Sequence, residues 1–80
     1  MKLRVIVKLK DGVLDPQGMT IQRSLNKLGH REITSVRQGK YFEIEFRGAQ
    51  NKQDRKDSIQ KIAREILSNP IIETFEIEEI

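Results

Sequence analysis

Two hydrophobic periods take turns along these 80 residues, and their order is the strongest constraint on the fold. Leu3, Val5, Val7 and Leu9 recur at every second position of KLRVIVKL, with Lys2, Arg4, Ile6 and Lys8 between them. That is the period of a half-buried strand. Residues 16–28 switch to helical spacing, with Ile21, Leu25 and Leu28 on one narrow stripe. Alternation returns in EITSVRQ (32–38) and KYFEIEFR (40–47), and Gln38-Gly39 between them predicts a hairpin turn. Residues 55–68 are helical again, with Ile59, Ile62, Ala63, Ile66 and Leu67 on the core-facing side. IIETFEIEEI (71–80) alternates once more, turning Phe75 and Ile77 inward.

The order is therefore β-α-β-β-α-β, an α+β arrangement within one domain over 1–80. A four-stranded antiparallel sheet with both helices on one face buries every apolar side at once. Right-handed crossovers then favour the ferredoxin-like order 4-1-3-2.

Local signals mark the ends of the elements. Asp15 suits a helix N-cap and Pro16 the first helical position. Gly29 suits a left-handed stop after Leu28, Asp54 a cap for the second helix, and Asn69-Pro70 its end. The polar loop GAQNKQD separates the last hairpin from that helix and carries no recognisable chemistry. No apolar run approaches membrane-spanning length, and no apolar stretch after Met1 resembles a leader, so a soluble, cytoplasmic protein is expected.

The net charge is +3, unevenly spread. Residues 1–40 hold nine Lys/Arg against three Asp/Glu, and residues 41–80 hold six against nine. In the order 4-1-3-2, Lys2, Arg4 and Lys8 of the first strand lie between Glu43 and Glu45 on one side and Glu76 and Glu78 on the other. The two halves then neutralise each other across the open sheet face. Exposed aromatics for stacking bases are lacking there, since Tyr41 stands beside two carboxylates, and nucleic-acid binding is not expected.

Catalytic groups are sparse. With no cysteine, thiol chemistry and Cys-based metal sites are excluded. His30 follows the helix-ending Gly29 without a ligand-spaced neighbour, so an exposed residue at a helix C-terminus is preferred over a base or metal ligand. Ser24 and Ser58 lie in helices, away from any strand-to-helix elbow. An acylphosphatase-like phosphate loop would need an arginine in KDGVLDPQG, where Asp11 and Asp15 stand instead. Asp15 fills one donor of the helix start and places a negative charge where a phosphate would sit, so VLDPQG is not an anion cradle. Gly18, inside the helix, then implies close approach of another backbone, from this chain or a partner.

VRQGKY has two readings: Arg37 and Lys40 gripping an anionic group of a partner, or two solvated cations flanking a glycine-dependent turn. Ile6, Tyr41, Ile72 and Ile80 face the open side of the sheet or its rim. In so small a domain, they suggest a homo-oligomer through that face or an edge strand.

VLDPQG leading into IQRSLNKLG, then VRQGKYFEI, then NPIIETFEIE resembles the PurS family, the small subunit of phosphoribosylformylglycinamidine synthase. The resemblance runs from about Val5 to Glu79 and implies the same element order. It also implies a non-catalytic subunit of an ATP-dependent amidotransferase of purine biosynthesis. Such a subunit forms dimers or higher assemblies, joins a glutaminase subunit to a large synthetase subunit, and has a part in ammonia transfer. ATP and magnesium are used by the complex; no cofactor, catalytic residue, nucleic acid or membrane belongs to the small subunit. Carried over by position, Asp15, Pro16, Gln17, Gly18, Arg37, Gly39 and Lys40 are candidate subunit contacts. The rival reading is an ACT-type regulatory module with a small ligand between subunits, for which Gly12 after the first strand is the one suggestive feature.

Overall fold

The computed structural model describes residues 2–47 and 52–80. Its elements are β1 (Lys2–Leu9), α1 (Pro16–Lys27), β2 (Gly39–Glu45), α2 (Lys52–Ile62), continued by a wider turn over Ala63–Leu67, and β3 (Glu73–Glu79). The three strands form one antiparallel sheet in the order β2-β1-β3.

Register follows from the alternation. Val5 lies opposite Phe42 on one side and Ile77 on the other, so the apolar positions of all three strands share one face. Val5 and Val7 are fully buried beneath Ile59 and Ala63, and Phe42, Ile44, Phe46, Leu67, Phe75 and Ile77 pack around them. Complete burial of Ile59 or either valine contributes roughly 1.5–3 kcal/mol. On the other face Lys2 meets Glu43 and Glu45, and Arg4 meets Glu43 and Glu78, at 3.6–3.9 Å. The expected charge ladder is present for Lys2 and Arg4, whereas Lys8 stands opposite Gly39 and Thr74 and Glu76 opposite Ile6; such half-exposed pairs contribute at most about 1 kcal/mol each.

Four expectations are corrected. Residues 32–38 do not form a strand of this sheet, and the hairpin turn at Gln38-Gly39 is not made. Residues 31–32 form a turn and 33–38, without regular secondary structure, lead into β2, so the sheet has three strands among the described residues. Second, α1 is not laid on the sheet beside α2. Met19, Ile21 and Leu28 are exposed, Leu28 by 77%. Third, α2 starts at Lys52, so Asp54 is a first-turn acid facing the helix dipole rather than a cap. The expected loop over residues 48–54 thus loses its end to the helix, and 48–51 lie outside the described residues. Fourth, the wider turn over Ala63–Leu67 changes the helical phase, so Ile66 points outward at 74% exposure while Ala63 and Leu67 stay against the core.

α1 and the irregular segment after it form an arm. The radius of gyration is 16.5 Å and the long axis 52 Å, whereas a compact chain of this length has a radius near ~12 Å. Two signals at the ends of α1 are as expected. Asp15 caps it, and Gly29, at φ +107°, closes it with bonds from Gly29 N–H to the Asn26 carbonyl and from His30 N–H to the Leu25 carbonyl. No helix among the described residues is long and apolar enough to cross a membrane.

Candidate functional site: the clamp at the base of the arm

Asp15 is the hub of the site. Its carboxylate accepts from the Gly18 N–H at 2.8 Å, the ordinary N-cap bond, and from the Gln38 N–H at 2.7 Å, across 23 residues of sequence. One side chain therefore starts α1 and ties that start to the strand leading into β2. The Gln38 and Gly18 amides, in that order, hold the Asp15 carboxyl below its ordinary pKa of 3.8; burial opposes the shift, and the Arg37 charge adds to it.

The other residues of the two sequence motifs close the same joint. Arg37 donates to the Val13 carbonyl at 2.7 Å and to the Lys10 carbonyl at 3.1 Å, spanning the loop between β1 and α1. The Gln38 amide donates to the Gln17 side-chain oxygen. Gly18 is buried, and a Cβ there would lie 2.1 Å from the Val36 carbonyl oxygen. The backbone approach inferred for Gly18 thus comes from this chain. Gly39 has a negative φ and serves no turn; a Cβ on it would stand 2.8 Å from the Val7 carbonyl, against β1. Lys40 reaches Glu73 of β3 at 3.8 Å. Pro16 and Gln17 are exposed beside a cleft of about 420 Å³ between arm and sheet, walled by Leu14, Gln17, Gly39, Lys40 and Ile72.

The fastening continues outward along the arm. Gln22 donates to the Thr34 carbonyl at 2.9 Å, and Asn26 to the carbonyls of His30 and Ile33 at 2.8 and 3.1 Å. These amides satisfy carbonyls of a segment that has no neighbouring strand among the described residues. Gln22, Asn26 and Gln38 were not singled out from sequence. Gln22 and Asn26, four apart on one helix face, were the available signal, but polar helix positions ordinarily face solvent.

The four residues assigned to an oligomer surface do not form one strip. Ile6 and Tyr41 are cross-strand neighbours on the open face, with the Arg4 guanidinium 5.7 Å over the Tyr41 ring. Ile72 lies just before β3, where its carbonyl accepts from Lys10 N–H, and Ile80 at the far end, bonded to the Lys2 carbonyl. His30 is exposed, 3.7 Å from Glu32. No group of three or more His, Cys, Asp or Glu able to hold a metal occurs among the described residues.

An α+β body with a clamped, outward arm defines the class to which the chain belongs. The family model described as PurS, phosphoribosylformylglycinamidine (FGAM) synthase, matches residues 2–79. The chain belongs to the PurS family, subunits of FGAM synthase in purine biosynthesis. It is 41% identical over 76 residues to the PurS subunit of Methanocaldococcus jannaschii, covering 95% of this chain and 90% of that protein. To the Bacillus subtilis PurS subunit it is 35% identical over 81 residues, covering 99% and 94%. Among solved structures, M. jannaschii PurS superimposes with a TM-score of 0.81 at 39% identity over 96% of this chain and 92% of that one. The PurS-like chain in the Thermotoga maritima PurLQS structure gives 0.77 at 30% identity, over 99% and 95%. The ACT-type reading finds no support: Gly12 is a turn glycine at φ +85°.

Proposed function

We propose that this chain is the assembly subunit of its FGAM synthase, holding a glutaminase subunit against an ATP-dependent synthetase subunit and assisting ammonia transfer between them. One observation carries the reading: the family match spans nearly the whole chain, and a PurS-like chain of 30% identity occurs within a PurLQS structure. In this reading ATP and magnesium are used by the synthetase, and the small subunit binds neither. Pro16, Gln17 and Lys40 contact a neighbouring subunit, while Asp15, Gly18, Arg37 and Gly39 set the angle of the arm that presents them. The subunit acts as a homodimer or higher oligomer, and the four-stranded sheet order is reached only in that state.

The test is recovery of the complex. The tagged chain is drawn from native lysate with glutamine and ADP-magnesium present, and what accompanies it is identified. A large ATP-dependent synthetase and a glutaminase are expected together. Their reproducible absence would overturn the assignment.

A further inference from the structure

α1 has three sides, and two of them already have a use. Gln22 and Asn26 donate to the carbonyls of His30, Ile33 and Thr34, which fastens one side to this chain's own backbone. Ile21, Leu25 and Leu28 form the apolar stripe, the side suited to the oligomer of the proposed function. The third side carries Thr20, Arg23, Ser24 and Lys27, spaced by three and four residues. Its hydroxyls are turned back on the helix: Thr20 donates to the Pro16 carbonyl at 2.9 Å and Ser24 to the Thr20 carbonyl at 3.1 Å. The two long cations stand above them as a ridge.

These cations lack a partner in their own chain. Arg23, Lys27 and, just past the end of α1, Arg31 are exposed, and none lies within ion-pair distance of a carboxylate among the described residues. The one acid at this end of the arm, Glu32, is turned to His30. In the sheet, by contrast, Lys2, Arg4 and Lys40 each meet a carboxylate. The helix dipole accounts for Lys27, in the last turn, but not for Arg23, one turn earlier. Nor does it account for a first turn without acids, where they would be favoured; no Asp or Glu occurs anywhere from Pro16 to Arg31.

We propose that Arg23 and Lys27, extended by Arg31, dock α1 on a carboxylate-bearing surface of one of the larger subunits of the synthase. Two cations on a convex helix cannot enclose a free anion, and no Phe, Trp or Tyr lies between Pro16 and Lys40 for nucleic-acid bases to stack on. Carboxylates four residues apart on a helix, or on alternate positions of a strand, have the spacing to meet both cations at once. Such a contact steers association and fixes the register of the arm more than it adds affinity. Because the ridge faces away from the apolar stripe, one copy can use both sides together. The inference rests on the proposed function, which supplies the larger subunit.

The test uses the full chain with the purified synthetase and glutaminase subunits of the same organism. Binding of fluorescently labelled chain to their mixture is followed by anisotropy at low and high salt. The wild-type affinity is expected to fall with salt. Arg23→Glu combined with Lys27→Glu should weaken binding at low salt by about tenfold or more and flatten the salt dependence. Gln favours helix about as well as Arg and Lys, so Arg23→Gln combined with Lys27→Gln repeats the test without disturbing α1 and should give a smaller loss in the same direction. Variants that bind with wild-type affinity and salt dependence would overturn the ridge and leave the assembly assignment standing. Wild-type chain that binds neither subunit would overturn that assignment and the ridge with it. Variants that lose binding to single-stranded RNA while keeping the subunits would overturn the proposal in favour of a nucleic acid.

Discussion

The body and the arm are held together by different physics. In the body, Val5, Val7 and Ile59 are within 1% of complete burial, and the paired charges of Lys2 and Arg4 lie on the far side of the sheet. In the arm, Ile21 and Leu28 remain exposed, and shape comes from directed bonds: Asp15 to two amides, Arg37 to two carbonyls, Gln22 and Asn26 to the backbone of 30–34. Burial is non-directional and stabilises whatever excludes water. Hydrogen bonds contribute little net energy but define angles. The arm is therefore set in direction while its apolar surface stays available to another body.

Three perturbations sharpen that contrast. The largest falls on the body: Ile59→Ala leaves a cavity under α2 and should cost about 2–5 kcal/mol in urea unfolding. A cost below 1 kcal/mol would mean that the sheet and α2 do not share a tight core. Next is Gly18→Ala at the clamp, where the new Cβ meets a backbone carbonyl that cannot rotate away. A loss of about 1–3 kcal/mol is expected, together with faster hydrogen exchange at the Gln38 amide. Unchanged exchange there would place the strain elsewhere.

The smallest effect is the pH response of Asp15. Its folded pKa lies below the unfolded value of 3.8, so the folded state binds fewer protons and favours the ionised clamp. That stability is fully present above the unfolded value and is lost as pH falls through the lowered folded pKa. Asp15→Asn should remove this part of the acid sensitivity while sparing the rest. An acid-unfolding profile that keeps the same slope would show that other carboxylates carry it.

Much of this was legible residue by residue. The alternation of β1 and β3, the inward set Phe42, Ile44, Phe75 and Ile77, the Asp15 cap, the Gly29 stop and the ladder of Lys2 and Arg4 against Glu43 and Glu78 all follow from local chemistry. At the candidate site, Gly18 announced close backbone contact because glycine inside a helix is costly without a reason. The bonds from Gln38 to Asp15 and from Arg37 to Lys10 did not announce themselves. They join residues more than 20 apart, and neither partner is unusual for a loop.

By itself, the sequence determined the two helical segments, the strands β1, β2 and β3, and the apolar side of each strand. Period and capping act within a few residues and need no knowledge of neighbours. Only the tertiary structure decided what residues 31–38 do after Gly29. An extended, alternating segment is equally compatible with folding back at Gln38-Gly39 and with running straight into β2, because strand conformation does not specify the strand's partner. The course into β2 was selected by a carboxylate that bonds its own helix start and the distant Gln38 amide at once, and by a guanidinium that bridges two loop carbonyls.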